Sequence, residues 1–225
     1  MAIFAISDLH LSFGSNKPMD VFGGNWINYE EKMLENWNNT VQDGDTVIVN
    51  GDISWAMYLN ECEADFSYIE KLRGHKIIGK GNHDYWWTTI RKQENFVEEN
   101  KFNSIKFLHN NAYVIDNIAI CGTRGYLPAN LCTSKEDQKI YNRELERFEL
   151  SARQMRSECE TKIAALHYPP DENFEELFHK YEITHCIFGH LHGKAHKTAK
   201  QGIFGGIQYN LVSCDYLDFT PLKIK

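Results

Sequence analysis

The sequence lacks an apolar run long enough to cross a bilayer, and it lacks the cysteine pattern of a small disulfide scaffold. A membrane-spanning helix needs about 20 apolar residues, and no stretch approaches that length. Its 6 cysteines include no CxxC pair, and Cys121 and Cys186 fall inside strand-like runs, where a buried thiol acts as a small hydrophobe. The first apolar run, residues 1–6, is too short for a signal peptide. These absences predict a cytoplasmic protein without disulfides.

An excess of positive charge is missing too. The chain has 24 Lys and Arg residues against 31 Asp and Glu, a formal net charge of −7 at pH 7. Non-specific nucleic-acid binding relies on a positive surface, so we do not expect it. A small nucleotide substrate stays open, because bound metal ions would supply local positive charge. Because no repeat, low-complexity tract or Pro/Ser-rich linker interrupts the chain, we expect a single domain over residues 1–225.

What the sequence does contain is an alternation of strand-like and amphipathic helical segments, which is typical of an α/β fold. The periodicity predicts helices at 26–41, 58–72 and 135–157. The central segment, 105–121, holds three short runs separated by Asn-rich turns, which indicates antiparallel hairpins. After residue 192 the pattern predicts further strands at 203–204, 208–212 and 216–219.

Five of the strand-like runs are followed by side chains that bind metal ions. These are Asp8 and His10, Asp52, Asn82, His167, and His190 with His192. The carboxyl ends of strands form the ligand-binding edge of an open α/β sheet, so we expect these residues to converge there. A mixed set of oxygen and imidazole ligands suits Mn, Fe, Zn, Co or Ni. It does not suit Ca, which prefers oxygen alone.

Taken in order, these motifs resemble those of the calcineurin-like metallophosphoesterase family. They are DLH at 8–10, GD at 51–52, GNHD at 81–84, H at 167 and GHLH at 189–192. The resemblance implies a four-layer α/β/β/α sandwich with two mixed sheets. It implies one ion held by Asp8, His10 and His192, a second held by Asn82, His167 and His190, and Asp52 bridging the two. It further implies hydrolysis of a phosphate ester by a hydroxide that bridges the ions.

The sequence departs from the Ser/Thr protein phosphatase branch of that family. That branch has Asp-Arg-Gly shortly after its GD, whereas this chain continues from GD with Ile53-Ser54-Trp55. It also has GNHE where this chain has GNHD at 81–84. The chain resembles more closely a bacterial subgroup of predicted phosphohydrolases, and several such branches cleave phosphodiesters. We therefore expect the substrate to be a small-molecule phosphoester. Among phosphoesters, our leading expectation is a small or nucleotide-like phosphodiester. The alternatives are a phosphomonoesterase and a non-catalytic metal-binding scaffold.

Three further side chains are candidates for the chemistry. His83, next to Asn82, is placed to protonate the leaving group or to stabilise its charge. Asp84 either orients His83 and raises its pKa, or caps a helix that begins near Trp86, or does both. Arg124 follows a strand in the run GTRG at 122–125, where it contacts a substrate phosphate or is simply a surface arginine. The connection 12–25 is long for a βα loop, which suits a partial cap over the site.

Overall fold

The structure, a computed structural model, describes residues 1–225 and contains eleven strands and five α-helices. The strands are β1 (Ile3–Ile6), β2 (Thr46–Asn50), β3 (His75–Gly79), β4 (Ile105–Phe107), β5 (Tyr113–Ile115), β6 (Ile118–Thr123), β7 (Thr161–Leu166), β8 (His185–Phe188), β9 (Gly202–Phe204), β10 (Ile207–Leu211) and β11 (Leu222–Lys223). The helices are α1 (Tyr29–Thr40), α2 (Glu63–Lys71), α3 (Ile90–Glu99), α4 (Lys135–Ala152) and α5 (Glu172–Lys180). None of these helices combines the length and the apolar character that crossing a membrane requires.

The strands form two mixed sheets. The first has the order β11-β1-β2-β3-β4, and the second has the order β5-β6-β7-β8-β10-β9. Strands β1 to β4 are parallel, as are β6, β7, β8 and β10, while β11, β5 and β9 join antiparallel at the edges. Parallel strands point their carboxyl ends the same way, so each sheet has one edge to which successive loops return.

Three layers of buried side chains separate four layers of secondary structure. Alternate residues of a strand face opposite sides of the sheet, so Ile3 and Ala5 of β1 face the second sheet, whereas Phe4 and Ile6 face the helices. The core between the sheets includes Ile48, Ile77, Ile120, Ile163 and Ile187. The outer cores hold Met33, Trp37, Phe66 and Ile69 on one side, and Phe148, Phe174 and Phe178 on the other. The predicted α/β/β/α sandwich is confirmed.

Polar contacts join the two sheets at the carboxyl ends of their strands. The side-chain amide of Asn50, the last residue of β2, donates to the carbonyl of Leu166 and, at 3.4 Å, to that of Ile187 in the second sheet. Ser7 donates its main-chain N–H to Val212 at 2.8 Å, and Cys214 donates back to Ser7 at 3.0 Å. These contacts hold the ends of β1 and β2 against the second sheet, at the carboxyl ends of β7, β8 and β10.

Some predicted elements differ from those observed. The segment 216–219, predicted as a strand, is a series of turns in which Phe219 donates to the carbonyl of Cys214 at 2.8 Å. Three of its main-chain N–H groups bond to the carbonyls of Ser213 and Cys214, just before the segment, and so do not pair with a strand. Strand β11 covers the edge of β1 instead. The first helix begins at Tyr29, after short 3-10 turns at Met19–Phe22 and Gly24–Trp26. No helix begins near Trp86; α3 starts at Ile90.

Candidate metal centre

The carboxyl edge of the two sheets collects the side chains that the strand ends were predicted to deliver. Asp8 and His10 follow β1, Asp52 follows β2, Asn82 follows β3, His167 follows β7, and His190 and His192 follow β8. All are buried or partly buried. Their donor atoms form two groups that meet at Asp52.

The first group contains Asp8, His10 and His192, whose donor atoms all lie within 4.8 Å of one another. Oδ1 of Asp8 is 3.4 Å from Nε2 of His192. Nε2 of His10 is 3.8 Å from Oδ2 of Asp52. Two carboxylates and two imidazoles therefore point their lone pairs towards one small volume.

The second group contains Asn82, His167 and His190. Oδ1 of Asn82 lies 2.8 Å from Nε2 of His167 and 2.9 Å from Nδ1 of His190. Ligand atoms about 2.1 Å from one ion are about 3.0 Å apart in an octahedron and about 3.4 Å apart in a tetrahedron. The separations within the group match those of atoms sharing one divalent ion.

Asp52 contacts both groups through the same oxygen. Its Oδ2 is 3.8 Å from Nε2 of His10 and 3.4 Å from Nε2 of His167. Its other oxygen accepts the main-chain N–H of His83 at 2.7 Å, which fixes the orientation of the carboxylate. One oxygen of Asp52 thus faces the first group and the second group together.

Four of these residues have left-handed backbone conformations, with φ of 60° at Asp8, 48° at His10, 52° at Asp52 and 70° at His190. Non-glycine residues rarely adopt this region, because the Cβ atom crowds the backbone. Hydrogen bonds between neighbouring loops hold it here, such as those from Asp8 to Gly51 and from His10 to Asp52, both 2.9 Å.

Glycine is needed where these loops cross. A Cβ at Gly81 would overlap the main-chain nitrogen and side chain of Asp52. The loop after β3 can therefore approach the loop after β2 only because position 81 has no side chain. This close approach brings Asn82 within reach of His167.

Hydrogen bonds on the far side of two rings determine which nitrogen faces the centre. Nδ1 of His167 lies 3.1 Å from the carbonyl of Asn50, so this nitrogen donates and Nε2 is left to bind. Nδ1 of His192 lies 2.9 Å from Oδ1 of Asp215, and the other oxygen of Asp215 is 3.2 Å from Nε2 of His196. A carboxylate behind a metal-binding imidazole orients the ring and raises its basicity. Sequence analysis missed Asp215, although it lies just past β10, at the edge where the other ligands were sought.

In the metal-free centre, protonated imidazoles offset part of the negative charge of the carboxylates. Burial alone would lower the pKa of His167, but the carboxylate of Asp52 raises it to about 9. Burial is likewise outweighed at His192, whose pKa rises to about 10 beside Asp215 and Asp8. At His10 and His190 burial dominates and lowers the pKa to about 4. Protons on two imidazoles thus offset part of the negative charge of the buried carboxylates, and divalent cations would take over this role. The His and Asp groups are therefore suited to divalent metal ions.

Asp84 is buried beneath the centre and bonds to main-chain groups rather than to His83. Its oxygens accept N–H groups from Asp52 at 2.9 Å, Gly81 at 2.7 Å, Ile53 at 2.8 Å and the indole of Trp86 at 3.0 Å. Burial raises its pKa to about 6, and the nearby Asp52 carboxylate contributes. Neither the predicted contact with His83 nor the predicted helix cap is present. Asp84 instead joins the loops that carry Asp52 and Asn82.

His83 lies in a cavity of about 430 Å³ that opens over the centre. The polar wall consists of His10, Asp52, His83, His190, His192, Gly193 and Asp215, and the apolar wall consists of Met19, Phe22, Trp26 and Trp55. The ring of His83 is 4.6 Å from that of Trp55, and its Nδ1 is 3.4 Å from the hydroxyl of Tyr85. Met19 and Phe22 belong to the long connection 12–25, so this loop forms part of the cavity wall.

Arg124 lies outside this cavity. Its guanidinium is 3.9 Å from Glu144 and lies over the ring of Tyr126 at 5.4 Å. Its carbonyl accepts the main-chain N–H groups of His167 at 3.0 Å and Tyr168 at 2.9 Å. The backbone of Arg124 therefore supports His167, while its side chain belongs to a neighbouring cluster.

The chain is similar in sequence or in structure to several known proteins. An uncharacterized protein of Methanocaldococcus jannaschii is 29% identical over 111 residues, which cover 47% of this chain and 56% of that protein, so the match spans only about half of the relative. The structure of a protein of unknown function from Aquifex aeolicus superposes with a TM-score of 0.51 at 18% identity, covering 99% of this chain and 95% of the other. The phosphopantetheinyl hydrolase of Mycobacterium tuberculosis superposes with a TM-score of 0.57 at 14% identity, covering 94% and 88%. At such low identities these two structures show a shared fold.

The family follows from a sequence comparison that covers most of the chain. The model for calcineurin-like phosphoesterases matches residues 1–194, a span that contains the loops after β1, β2, β3, β7 and β8. The chain therefore belongs to the calcineurin-like phosphoesterase family.

Proposed function

We propose that this chain is a dinuclear-metal phosphoesterase that hydrolyses a small or nucleotide-like phosphodiester. The observation that carries the proposal is the position of Asp52, whose Oδ2 faces His10 at 3.8 Å and His167 at 3.4 Å. Asp8, His10 and His192 would hold one ion, and Asn82, His167 and His190 the other, with Asp52 shared. The mixed ligands suit Mn, Fe, Zn, Co or Ni.

Two divalent ions held a few ångströms apart would supply a nucleophilic water of lowered pKa and neutralise charge on the phosphoryl oxygens. The protein's own contribution is to hold the ligand side chains in fixed positions. Asp84 accepts N–H groups from both Asp52 and Gly81, so one carboxylate ties together the loops that bear the shared ligand and Asn82. Ligands held this rigidly require little reorganisation as charge develops in the transition state.

We propose that His83 acts on the leaving group. Its main-chain N–H is bound to Asp52, and its ring lines the cavity without belonging to either ligand group. An imidazole there donates a proton to the departing alkoxide or stabilises its charge. The hydroxyl of Tyr85, rather than Asp84, is the neighbour that orients the ring.

The lining of the cavity supports our choice of a diester over a monoester. Its lining contains no lysine or arginine, and its apolar wall is made of Met19, Phe22, Trp26 and Trp55. A diester has one negative charge fewer than a monoester dianion, and its second organic group needs an apolar surface. Both properties match a cavity in which ions would be the main source of positive charge.

Parallel assays on bis-p-nitrophenyl phosphate and p-nitrophenyl phosphate with Mn²⁺ test the proposal. We expect hydrolysis of the diester with a higher kcat/KM than that of the monoester, and loss of both activities in Asp52→Asn. Asp43→Asn, at an exposed carboxylate, is purified in the same way and should keep both activities. It controls for phosphoesterases carried through the purification. Preference for the monoester would assign a phosphomonoesterase. No turnover of either compound by metal-loaded protein would favour a non-catalytic scaffold.

A further inference from the structure

One ring of the apolar wall has no partner within the protein. Phe22 lines the cavity over the metal centre, yet its side chain is 72% exposed. It belongs to none of the three apolar cores, and it is not among the side chains packed against them. Removing a phenylalanine side chain from water is strongly favourable. Phe22 therefore carries apolar surface that the fold itself does not cover.

The other residues of the apolar wall are fixed by contacts with the protein. Met19 is 8% exposed, and its sulfur accepts the indole N–H of Trp55 at 3.4 Å. The ring of Trp55 stacks on that of His10 at 4.9 Å. Trp26 is 9% exposed, and its ring lies 5.4 Å from Phe219 and 6.0 Å from His10. These contacts hold the apolar wall beside a ligand of the metal centre.

Phe22 lies between two of these fixed residues. It ends the 3-10 turn Met19–Phe22 and comes four residues before Trp26. A 3-10 helix rises about 2 Å per residue, so Phe22 is only about one turn from Met19. Val21, in the same turn, is 73% exposed but does not line the cavity. Of the two exposed apolar side chains of this turn, only Phe22 therefore reaches the cavity.

The cavity has room for an organic ring beside a phosphoryl group. Its volume is about 430 Å³, whereas an apolar cavity of about 150 Å³ is enough to hold benzene. No lysine or arginine lines it, and the carboxylate of Asp215 does. A second anionic group on the substrate would have no cationic side chain to pair with. These properties suit an organic group that is apolar and uncharged.

We infer that Phe22 packs on an uncharged aromatic ring of the substrate while the phosphodiester occupies the metal centre. The inference rests on the proposed function and deepens it, because it specifies the organic group. The substrate class is then a phosphodiester that carries such a ring close to the phosphorus atom. Aromatic rings gain from offset or edge-to-face contact with one another, a gain that a small alkyl group does not provide. Phe22 thus selects among phosphodiesters and takes no part in the chemistry.

Calorimetric titration of Mn²⁺-loaded protein with phenylphosphonate and methylphosphonate tests the inference. Both ligands have a P–C bond that ester hydrolysis does not break, and they differ in the organic group alone. We expect Kd to be about tenfold lower for phenylphosphonate. The preference should shrink to less than about twofold in Phe22→Ala, where the ring is lost, and it should persist in Phe22→Tyr, where a ring is kept. Val21→Ala, at the equally exposed neighbour, is the matched control and should keep the preference.

Equal Kd values for the two phosphonates in the wild-type protein would overturn the inference. So would a tenfold preference that persists in Phe22→Ala, since the phenyl group would then bind elsewhere. The difference in basicity between the two phosphonates is the same for every variant, so it cancels when their preferences are compared.

Asp52→Asn shows whether the phosphonates occupy the metal centre. We expect this variant to bind both ligands more weakly, and unchanged binding would overturn the inference because the ligands would then lie at another site. Because binding is measured without turnover, failure of the inference is distinct from failure of the proposed function, which hydrolysis of bis-p-nitrophenyl phosphate tests.

Discussion

Nδ1 of His192 lies 2.9 Å from Oδ1 of Asp215, 23 residues further along the chain, and this contact turns Nε2 of the same ring towards Asp8. The ligand after β8 is therefore oriented by a carboxylate that follows β10. The two strands are neighbours in the second sheet, so the pair depends on sheet order and not on the local sequence.

Removing this carboxylate should weaken metal binding. We expect Asp215→Ala to lower the affinity for the ion bound by His192 by about 10–100-fold, the usual cost of losing such a partner. Calorimetric titration of metal-free protein with Mn²⁺ measures the change, and Asp43→Ala is the exposed control. An unchanged affinity would mean that Asp215 has no part in the site.

Substitution of the shared ligand should affect both ions. Asp52→Asn keeps the shape of the side chain but removes its charge, so we expect fewer than two ions per chain and a larger loss of activity than for a change at His10 or His190. Elemental analysis after dialysis gives the stoichiometry. Full activity with one ion per chain in the wild-type protein would refute the two-metal proposal.

Replacing His83 should lower turnover most for substrates with poor leaving groups. We expect His83→Ala to keep both metals and to lower turnover of alkyl phosphodiesters by about 10²–10⁴, the typical contribution of acid catalysis. Nitrophenolate needs little protonation, so the loss on bis-p-nitrophenyl phosphate should be smaller. An equal loss on both substrates would indicate that His83 stabilises phosphoryl charge, and loss of metal would show that it is a ligand or a support for one.

Metal binding should release protons at neutral pH. In the metal-free protein the pKa of His167 is raised to about 9 and that of His192 to about 10, so both rings are protonated at pH 7 and must lose a proton to bind an ion. His10 and His190, with pKa values lowered to about 4, release none. We expect about two protons per fully loaded chain at pH 7, and an affinity that rises as the pH increases from 7 towards 9. Calorimetry in buffers of different ionisation enthalpy counts the protons; release of none would contradict the charge balance.

The buried carboxylate of Asp84 should support the fold as well as the site. In Asp84→Asn one acceptor oxygen is replaced by an NH2 donor. That NH2 would face either the N–H groups of Asp52 and Gly81 or those of Ile53 and the Trp86 indole. A buried donor left unpaired costs about 1–3 kcal/mol, so we expect at least this decrease in the free energy of unfolding. Urea denaturation of metal-free protein measures it. A loss below about 0.5 kcal/mol would show that water or local rearrangement satisfies these donors.

The sequence predicted the architecture well because its signals were local. Apolar runs ending in ligand-type residues locate the strands that carry Asp8, Asp52 and Asn82, and these lie where the pattern indicated. The two mixed sheets were predicted through the family resemblance. That one domain spans the whole chain stays a prediction.

The errors involve contacts between residues distant in the sequence. Asp84 is adjacent to His83 along the chain, yet its acceptors face the loop after β2, and no local pattern reports that. The segment 216–219 has strand-like composition, but Phe219 packs against Trp26 and Tyr29 and the chain folds back to reach them. Asp215 was missed for the same reason, since its partner His192 is close only in the folded sheet.

The left-handed conformations at Asp8, His10, Asp52 and His190 have an evolutionary consequence. Each costs about 1–2 kcal/mol in an ordinary L-residue, less for aspartate, and glycine would relieve it. Folding alone would thus favour mutations that erase the ligands, so only continued selection for chemistry keeps these side chains in place. In a descendant that no longer needs the reaction, we expect glycine to replace the ligands at these positions. Each replacement would remove the cost of a left-handed backbone conformation and would also remove a metal ligand.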